Sequence, residues 1–342
     1  MNDTPDAARE TQPHTSPVRQ GATADIEEAV GTLKRLRAEI GKAVVGQAQV
    51  VDQVLIALAA SGHVLLEGVP GLGKTLLVRA LARAFSGSFA RIQFTADLMP
   101  SDVTGHSMFD AQLNEFRIRK GPVFANLLLA DEINRAPAKT QSALLEVMQE
   151  YQATVEGTAI PVPLPFMVLA TQNPVELEGT YPLPEAQLDR FLLKVLVEYP
   201  DADEERALVT RVTRGHVGES LQVDSVEALL QPASVLSLQR ATASLQVDDR
   251  VHDYAVRVVR ATRAWPGIAI GAGPRGTIGL VRAARARALL EARDFATPDD
   301  VKAVAPSVLR HRLSLSPDSQ LEGQTADSLL TAIIDTIEAP RS

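Results

Sequence analysis

Residues 63–75 read HVLLEGVPGLGKT, and the interpretation of the whole chain starts from them. Residues 68–75 match G-x-x-x-x-G-K-[ST], a pattern in which glycines let backbone N–H groups turn inward around a phosphate. An apolar run precedes the motif, and apolar residues at helical spacing follow it. A strand before and a helix after are the required surroundings, because the positive helix N-terminus faces the anion. The stretch predicts a nucleotide site in which Lys74 contacts the β- and γ-phosphates and Thr75 binds Mg²⁺.

The composition narrows the class of protein. The 342 residues are 45% hydrophobic and 22% charged, which is typical of a soluble globular protein of one large or two ordinary domains. The net charge of −8 argues against a broad nucleic-acid surface, so we expect no nucleic-acid partner. The absence of cysteine excludes disulfides, thiolate metal sites and cysteine nucleophiles. With neither a secretion signal nor a membrane-spanning apolar stretch, a cytoplasmic location is expected.

The order of strand and helix signals predicts the domains. Residues 1–23 are polar and are expected to be a disordered tail, followed by a helix that begins at Asp25. Strands and helices then alternate to about residue 200, which predicts an α/β core with a five-stranded parallel sheet and its ligand at the strand C-termini. Two hairpins are predicted, one turning at Asn114 and one at Glu156-Gly157. Helical patterns dominate residues 201–342, which predicts a smaller, all-helical second domain.

Polar residues follow two of the predicted strands. Asp131 and Glu132 come directly after the apolar run 127–130. An acidic residue at the end of a buried strand beside a P-loop can hold Mg²⁺, and the next carboxylate can polarise water for attack on phosphorus. Asn173 ends the next strand, where an amide can orient that water, although Asn-Pro is equally typical of a turn.

Three further positions are candidates. Arg190 precedes the last predicted strand, and Arg275 lies where a helix of the second domain starts. A guanidinium that reaches γ-phosphate oxygens stabilises the charge of the transition state. The stretch 45–47 separates two predicted helices shortly before the P-loop; it is either a simple interhelix turn or a contact to adenine.

Taken together, these strings resemble the AAA+ ATPases, and among them closely the MoxR family. The matching strings are EGVPGLGKT at 67–75, LADEINR at 129–135, ATQNP at 170–174 and the more family-specific EGTYPLPEAQLDRF at 178–191. The resemblance covers roughly residues 25–315. The two hairpins fit the inserts of the helix-2-insert clade, which also contains magnesium-chelatase subunits.

The resemblance implies a role for each matching residue. Asp131 and Glu132 would form Walker B, Asn173 would be sensor 1 and Arg275 sensor 2. Arg190 looks like the arginine finger, which serves the ATP of the neighbouring subunit. Walker A would comprise Gly68, Val69, Pro70, Gly71, Leu72, Gly73, Lys74 and Thr75, and the adenine-side box would comprise Val45, Gly46 and Gln47.

The resemblance also implies a cofactor and partners. These are ATP with Mg²⁺, a ring that is usually hexameric, an unknown client to remodel or mature, and a partner with a von Willebrand factor A domain. We therefore expect an ATPase in which Thr75 and Asp131 organise the metal. Arg190 would act in trans and Arg275 in cis. The alternatives are an ATP-dependent scaffold or timer with slow hydrolysis and, with less support, a P-loop kinase, for which no clear basic lid is seen.

Overall fold

The computed structural model describes residues 17–69, 71–173, 179–213 and 223–340, with side chains except at 17–24 and 211–212. The N-terminal part contains, in chain order, α1 (Pro17–Ala43), α2 (Ala48–Ala59), β1 (Val64–Glu67), α3 (Lys74–Ala84), β2 (Phe89–Gln93), α4 (Pro100–Thr104), β3 (Gly105–Asp110), β4 (Glu115–Lys120), β5 (Leu127–Asp131), α5 (Ala138–Glu150), β6 (Gln152–Val155), β7 (Thr158–Pro161), β8 (Met167–Gln172), α6 (Glu185–Leu188) and β9 (Leu193–Leu196). A 3₁₀ turn at Ile133–Arg135 connects β5 to α5.

The C-terminal part is mostly helical. It contains α7 (Ala202–Thr213), α8 (Pro232–Ser244), β10 (Gln246–Val247), α9 (Asp249–Thr262), β11 (Ile268–Ile270), α10 (Pro274–Leu290), β12 (Phe295–Ala296), α11 (Pro298–Leu309), a 3₁₀ turn (Arg310–Arg312), β13 (Ser314–Leu315), α12 (Pro317–Leu321) and α13 (Ala326–Thr336). We call it the lid. Its strands form only two short pairs, β10 with β12 and β11 with β13.

The predicted five-stranded parallel sheet is confirmed, with the order β2-β5-β8-β1-β9. The interior strand β5 is buried at every position and the central strand β8 at all but the last, because helices cover both faces of the sheet. Since the strands are parallel, their carboxyl ends lie at one edge. There Glu67 pairs in register with Gln172, and Asp131 with Gln93. This edge carries the candidate site.

The lid is joined to the core by an apolar cluster. Leu36 of α1 and Leu77 of α3 belong to the same buried cluster as Tyr254, Leu280 and Val308 of the lid. A second cluster fills the other face of the sheet, against α5. A boundary at residue 200 therefore stays our prediction from sequence.

Several expectations need adjustment. Both hairpins are confirmed, with Asn114 and Glu156 at positive φ in their turns. However, α1 is already present at Pro17, the first described residue, whereas the sequence predicted a helix from Asp25. Residues 1–16 lie outside the described part. The helix α13 was not expected. Within the described residues, no helix is long and apolar enough to cross a membrane.

Candidate functional site

The P-loop lies between β1 and α3, as its sequence predicts. Gly68 is required by close packing, because a Cβ there would lie 2.4 Å from the backbone oxygen of Val197. Gly73 has φ of 74° at the N-terminus of α3, a conformation that favours glycine. Lys74 Nζ donates to the carbonyl oxygen of Gly68 at 2.5 Å, so its ammonium lies back across the loop. Pro70 lies outside the described residues.

The stretch 45–47 forms the turn between α1 and α2. Gly46 and Gln47 both have positive φ, and the Gln47 amide donates to the carbonyl oxygen of Leu72 at 2.8 Å. The turn is therefore bonded to the P-loop. Val45 is half-buried beside it. A contact of these residues with adenine stays a prediction.

The Thr171 hydroxyl fixes both acidic residues. It donates to Asp131 Oδ1 at 2.9 Å and accepts from the backbone N–H of Glu132 at 2.9 Å. Glu132 has φ of 54°, an uncommon conformation for a residue with a side chain that needs such support. Thr171 was not among our candidates, although it lies in the string ATQNP quoted above.

Two side chains of β2 contact the acidic pair. Arg91 donates from Nε and Nη2 to Asp131 Oδ2, at 2.9 and 2.8 Å. Gln93 donates to Glu132 Oε2 at 2.7 Å, and Arg135 Nε lies 3.0 Å from the same oxygen. Neither Arg91 nor Gln93 was expected from the sequence. The only available signal was their i, i+2 spacing on a strand that ends beside the P-loop.

Residues of the P-loop, the two β2 side chains and the acidic pair line one cleft with a volume of about 340 Å³. The P-loop, the acidic pair and the buried Asn173 thus meet at the carboxyl edge of the sheet. Burial lowers the pKa of Lys74, and the carboxylates of Asp131 and Glu132 partly oppose this shift. A half-buried ammonium beside a glycine-containing loop at a helix N-terminus fits a phosphate, and the oxygen donors of Thr75 and Asp131 fit Mg²⁺. The residues present therefore fit a nucleotide with its metal.

The two candidate arginines meet elsewhere. Arg190 and Arg275 line a second cavity of about 170 Å³, together with Arg282 and Arg312 of the lid. Its lining shares no residue with that of the P-loop cleft. Arg190 Nη1 donates to Leu145 O at 2.9 Å and to Gln149 Oε1 at 2.5 Å.

Arg275 lies outside the lining of the P-loop cleft in this structure, and its action in cis stays a prediction. Its Nη1 lies 3.5 Å from Asp189 Oδ2, beside Arg190 and away from the P-loop of its own chain. The buried Arg312 holds the lid there, because it donates to Asp189 Oδ1 at 2.7 Å and to Phe191 O at 2.7 Å. Burial lowers the pKa of Arg312, and pairing with Asp189 opposes the shift.

Comparison with known proteins identifies the family. Residues 63–193 match the model of the ATPase family associated with various cellular activities (AAA), and residues 260–333 match the AAA lid domain. Chaperone MoxR1 of Mycobacterium tuberculosis is 43% identical, over 99% of this chain and 90% of its own length. A crystal structure of the protein named "putative ATPase" from Cytophaga hutchinsonii superposes with a TM-score of 0.87 at 39% identity, covering 95% of this chain and 100% of its own.

A more distant relative supports the wider grouping. The magnesium-chelatase 38 kDa subunit of Acidiphilium rubrum is 28% identical over 85% of this chain and 96% of its own length. The P-loop core, the helical lid and these likenesses agree, and the chain belongs to the MoxR family of AAA+ ATPases.

Proposed function

We propose that this protein binds ATP with Mg²⁺ in the P-loop cleft and hydrolyses the γ-phosphate. The observation that carries the proposal is the Thr171 hydroxyl, which holds Asp131 and Glu132 together in the cleft of Lys74 and Thr75. A carboxylate pair fixed at the end of a buried strand beside a P-loop is the arrangement that phosphoryl transfer to water needs.

Each residue then has one task. The P-loop amides and Lys74 bind the phosphates, and Thr75 with Asp131 holds the metal. When bound, Mg²⁺ neutralises charge on the phosphate oxygens. Glu132 accepts the proton of the attacking water once its carboxylate is released from Gln93 and Arg135. Asn173 orients that water.

The arginine cavity supports a site shared between subunits. Arg190 and Arg275 line a different cavity from the P-loop cleft of their own chain, which supports their action on a nucleotide held by another subunit. We infer that both arginines act on the ATP of a neighbouring subunit in a ring, which we expect to be hexameric. For Arg275 this proposal differs from the action in cis that the resemblance implies. The bonds from Arg312 to Asp189 and Phe191 support it, because they join the lid to the segment that carries Arg190.

The biological role rests on family membership. The similar MoxR1 is named a chaperone, and we propose that this protein also remodels or matures a client. A partner with a von Willebrand factor A domain belongs to the same proposal. The exposed aromatic pair Phe109 and Phe116, whose rings lie 5.3 Å apart on the β3–β4 hairpin, is an apolar surface available for contacts.

The test is ATPase activity per subunit as a function of protein concentration. Wild type should become more active as subunits assemble, and Arg190→Ala and Arg275→Ala should lose about 10³-fold in kcat, as removal of an arginine finger does. Arg257→Ala, an exposed arginine of α9, is the matched control and should retain activity. Activity that is independent of concentration and of both arginines would show that each subunit carries a complete site.

One observation favours a slower ATPase. Arg91 is bonded to the carboxylate of Asp131, and Gln93 and Arg135 are bonded to that of Glu132. These contacts must break before hydrolysis. An ATP-bound scaffold or timer with slow turnover is therefore the second candidate. Client remodelling that proceeds with a non-hydrolysable ATP analogue would favour it.

A further inference from the structure

A buried glutamine of α5 lies between the two sites. Gln141 is fully buried, and its amide nitrogen is within hydrogen-bond distance of three carbonyl oxygens. These are Ile133 O at 3.2 Å, Ala136 O at 3.1 Å and Tyr181 O at 2.9 Å. Its own oxygen, Oε1, is buried without a hydrogen-bond partner in the described part of the chain. An unpaired buried oxygen costs about 1–3 kcal/mol, which offsets part of what the hydrogen bonds of the amide nitrogen contribute.

The three carbonyls belong to two segments. Ile133 and Ala136 lie in the turn that directly follows Glu132. Tyr181 lies in the segment 179–190, which ends at Arg190 and which we call the finger segment. The two segments also touch directly, because the Tyr181 N–H donates to Asn134 O at 2.6 Å. Gln141 therefore joins the turn of the proposed general base to the segment of the proposed arginine finger.

The rest of the finger segment follows α5. Gln187 donates to the Ser142 hydroxyl at 3.1 Å, and Arg190 donates to Leu145 O and to Gln149. The contacting positions on α5 recur at helical spacing, so they share one side of the helix. The helix thus contacts the turn that follows Glu132 near its N-terminus and contacts Arg190 near its C-terminus.

The two segments differ in their other anchors. The turn of Glu132 is independently held by Thr171, through the backbone N–H, and by Gln93, through the carboxylate. At Tyr181 the finger segment is bonded to Gln141 and to Asn134 O, whereas its far end is held by the bonds of Arg190 to α5 and of Asp189 to Arg312. Loss of the Gln141 amide should therefore displace the finger segment and leave the cleft nearly unchanged.

We propose that Gln141 is a positioning residue, which holds the finger segment in register with the Glu132 turn so that Arg190 reaches the ATP of the neighbouring subunit. The inference rests on the proposed function, in which Arg190 acts in trans. The new element is that the position of Arg190 depends on the Gln141 amide of the same subunit, which we call the clamp. The clamp lies nearer the N-terminus of α5 than the residues that Arg190 contacts.

Mixed assemblies test the clamp. Arg190→Ala subunits keep an intact cleft, and Glu132→Gln subunits supply only intact fingers, so mixing them should restore hydrolysis. Adding Gln141→Met to the Glu132→Gln subunits should reduce this rescue at least about tenfold, because a displacement of about 1 Å can cost about 10²-fold. Adding Gln141→Met to the Arg190→Ala subunits should change the rescue by less than about twofold, since the cleft keeps its other anchors.

A second glutamine offers a matched control. Gln53 of α2 also has a buried Oε1 without a partner in the described part of the chain, and it lies on a different element from α5 and the finger segment. Gln53→Met in the Glu132→Gln subunits should leave the rescue intact. Equal rescue with and without Gln141→Met in the finger subunits overturns the inference. Failure of the starting pair to restore hydrolysis removes the proposed trans function, and the inference falls with it.

A spectroscopic measurement is independent of activity and of assembly. Because the chain has no cysteine, Ala186→Cys on the exposed face of the finger segment takes a single spin label. Gln141→Met should increase the mobility of that label, whereas Gln53→Met should not. An unchanged spectrum in a folded Gln141→Met variant contradicts the clamp, even if the activity of that variant is low.

Discussion

Acidification should destabilise this protein through His63, a residue buried at the start of β1. Its Nδ1 accepts from the Val168 N–H at 3.0 Å, and its Nε2 lies 3.1 Å from Met148 O, to which it donates. Both ring nitrogens of the neutral imidazole are thus used in bonds between β8 and α5. Burial lowers the pKa of His63 to about 4, and the nearby charge of Arg282 adds to the effect.

The sign and the size of this loss of stability follow from the difference in the pKa of His63 between the folded and the unfolded chain. In the unfolded chain His63 becomes protonated below pH 6.5, whereas in the folded chain it stays neutral down to about pH 4. The free energy of unfolding therefore decreases as the pH falls from 6.5 to 4. The full difference between the two pKa values corresponds to about 3 kcal/mol of unfolding free energy, at about 1.4 kcal/mol for each pKa unit. Between pH 7.5 and pH 5, about 2 kcal/mol of this contribution should disappear.

Urea unfolding of nucleotide-free protein at pH 7.5 and at pH 5 measures the effect. The buried His311, whose pKa burial also lowers, contributes in the same direction, so the wild type alone cannot isolate His63. His63→Gln keeps one acceptor and one donor but does not titrate. The loss of unfolding free energy between the two pH values should be about 2 kcal/mol smaller in His63→Gln than in wild type. Equal losses in the two proteins would refute the reasoning.

Four other variants test the site and the lid. Lys74→Ala should weaken binding of a fluorescent ATP analogue about 100-fold, since charged hydrogen bonds to phosphate contribute about 3 kcal/mol. Glu132→Gln should bind ATP like wild type yet hydrolyse it about 10²- to 10⁴-fold more slowly, and normal turnover would exclude Glu132 as the base. Arg91→Gln removes a cation from Asp131, so Mg²⁺ should bind more tightly to the ADP complex in a metal titration; unchanged or weaker binding would contradict competition between Arg91 and the metal. Asp300→Ala should lower the unfolding free energy by about 3 kcal/mol, because this buried carboxylate pairs with Arg293 and caps α11, and denaturant unfolding measures the loss.

The sequence by itself determined the nucleotide cleft. Lys74 and Thr75 lie within one motif, and Asp131 and Asn173 each end an apolar strand. Because the strands of a parallel sheet end at one edge, residues at strand ends meet without further information. Local order along the chain was therefore sufficient to bring these residues together.

Only the tertiary structure decided where the two candidate arginines lie. Arg312 contacts Asp189 across 123 positions of sequence, and this contact places Arg275 beside Arg190 instead of beside the P-loop of its own chain. The bond from Arg91 to Asp131 and the bond from Gln141 to Tyr181 each join residues that are 40 positions apart in the sequence. Contacts of this kind depend on how whole elements pack, and they leave no periodic pattern along the chain from which they could be predicted.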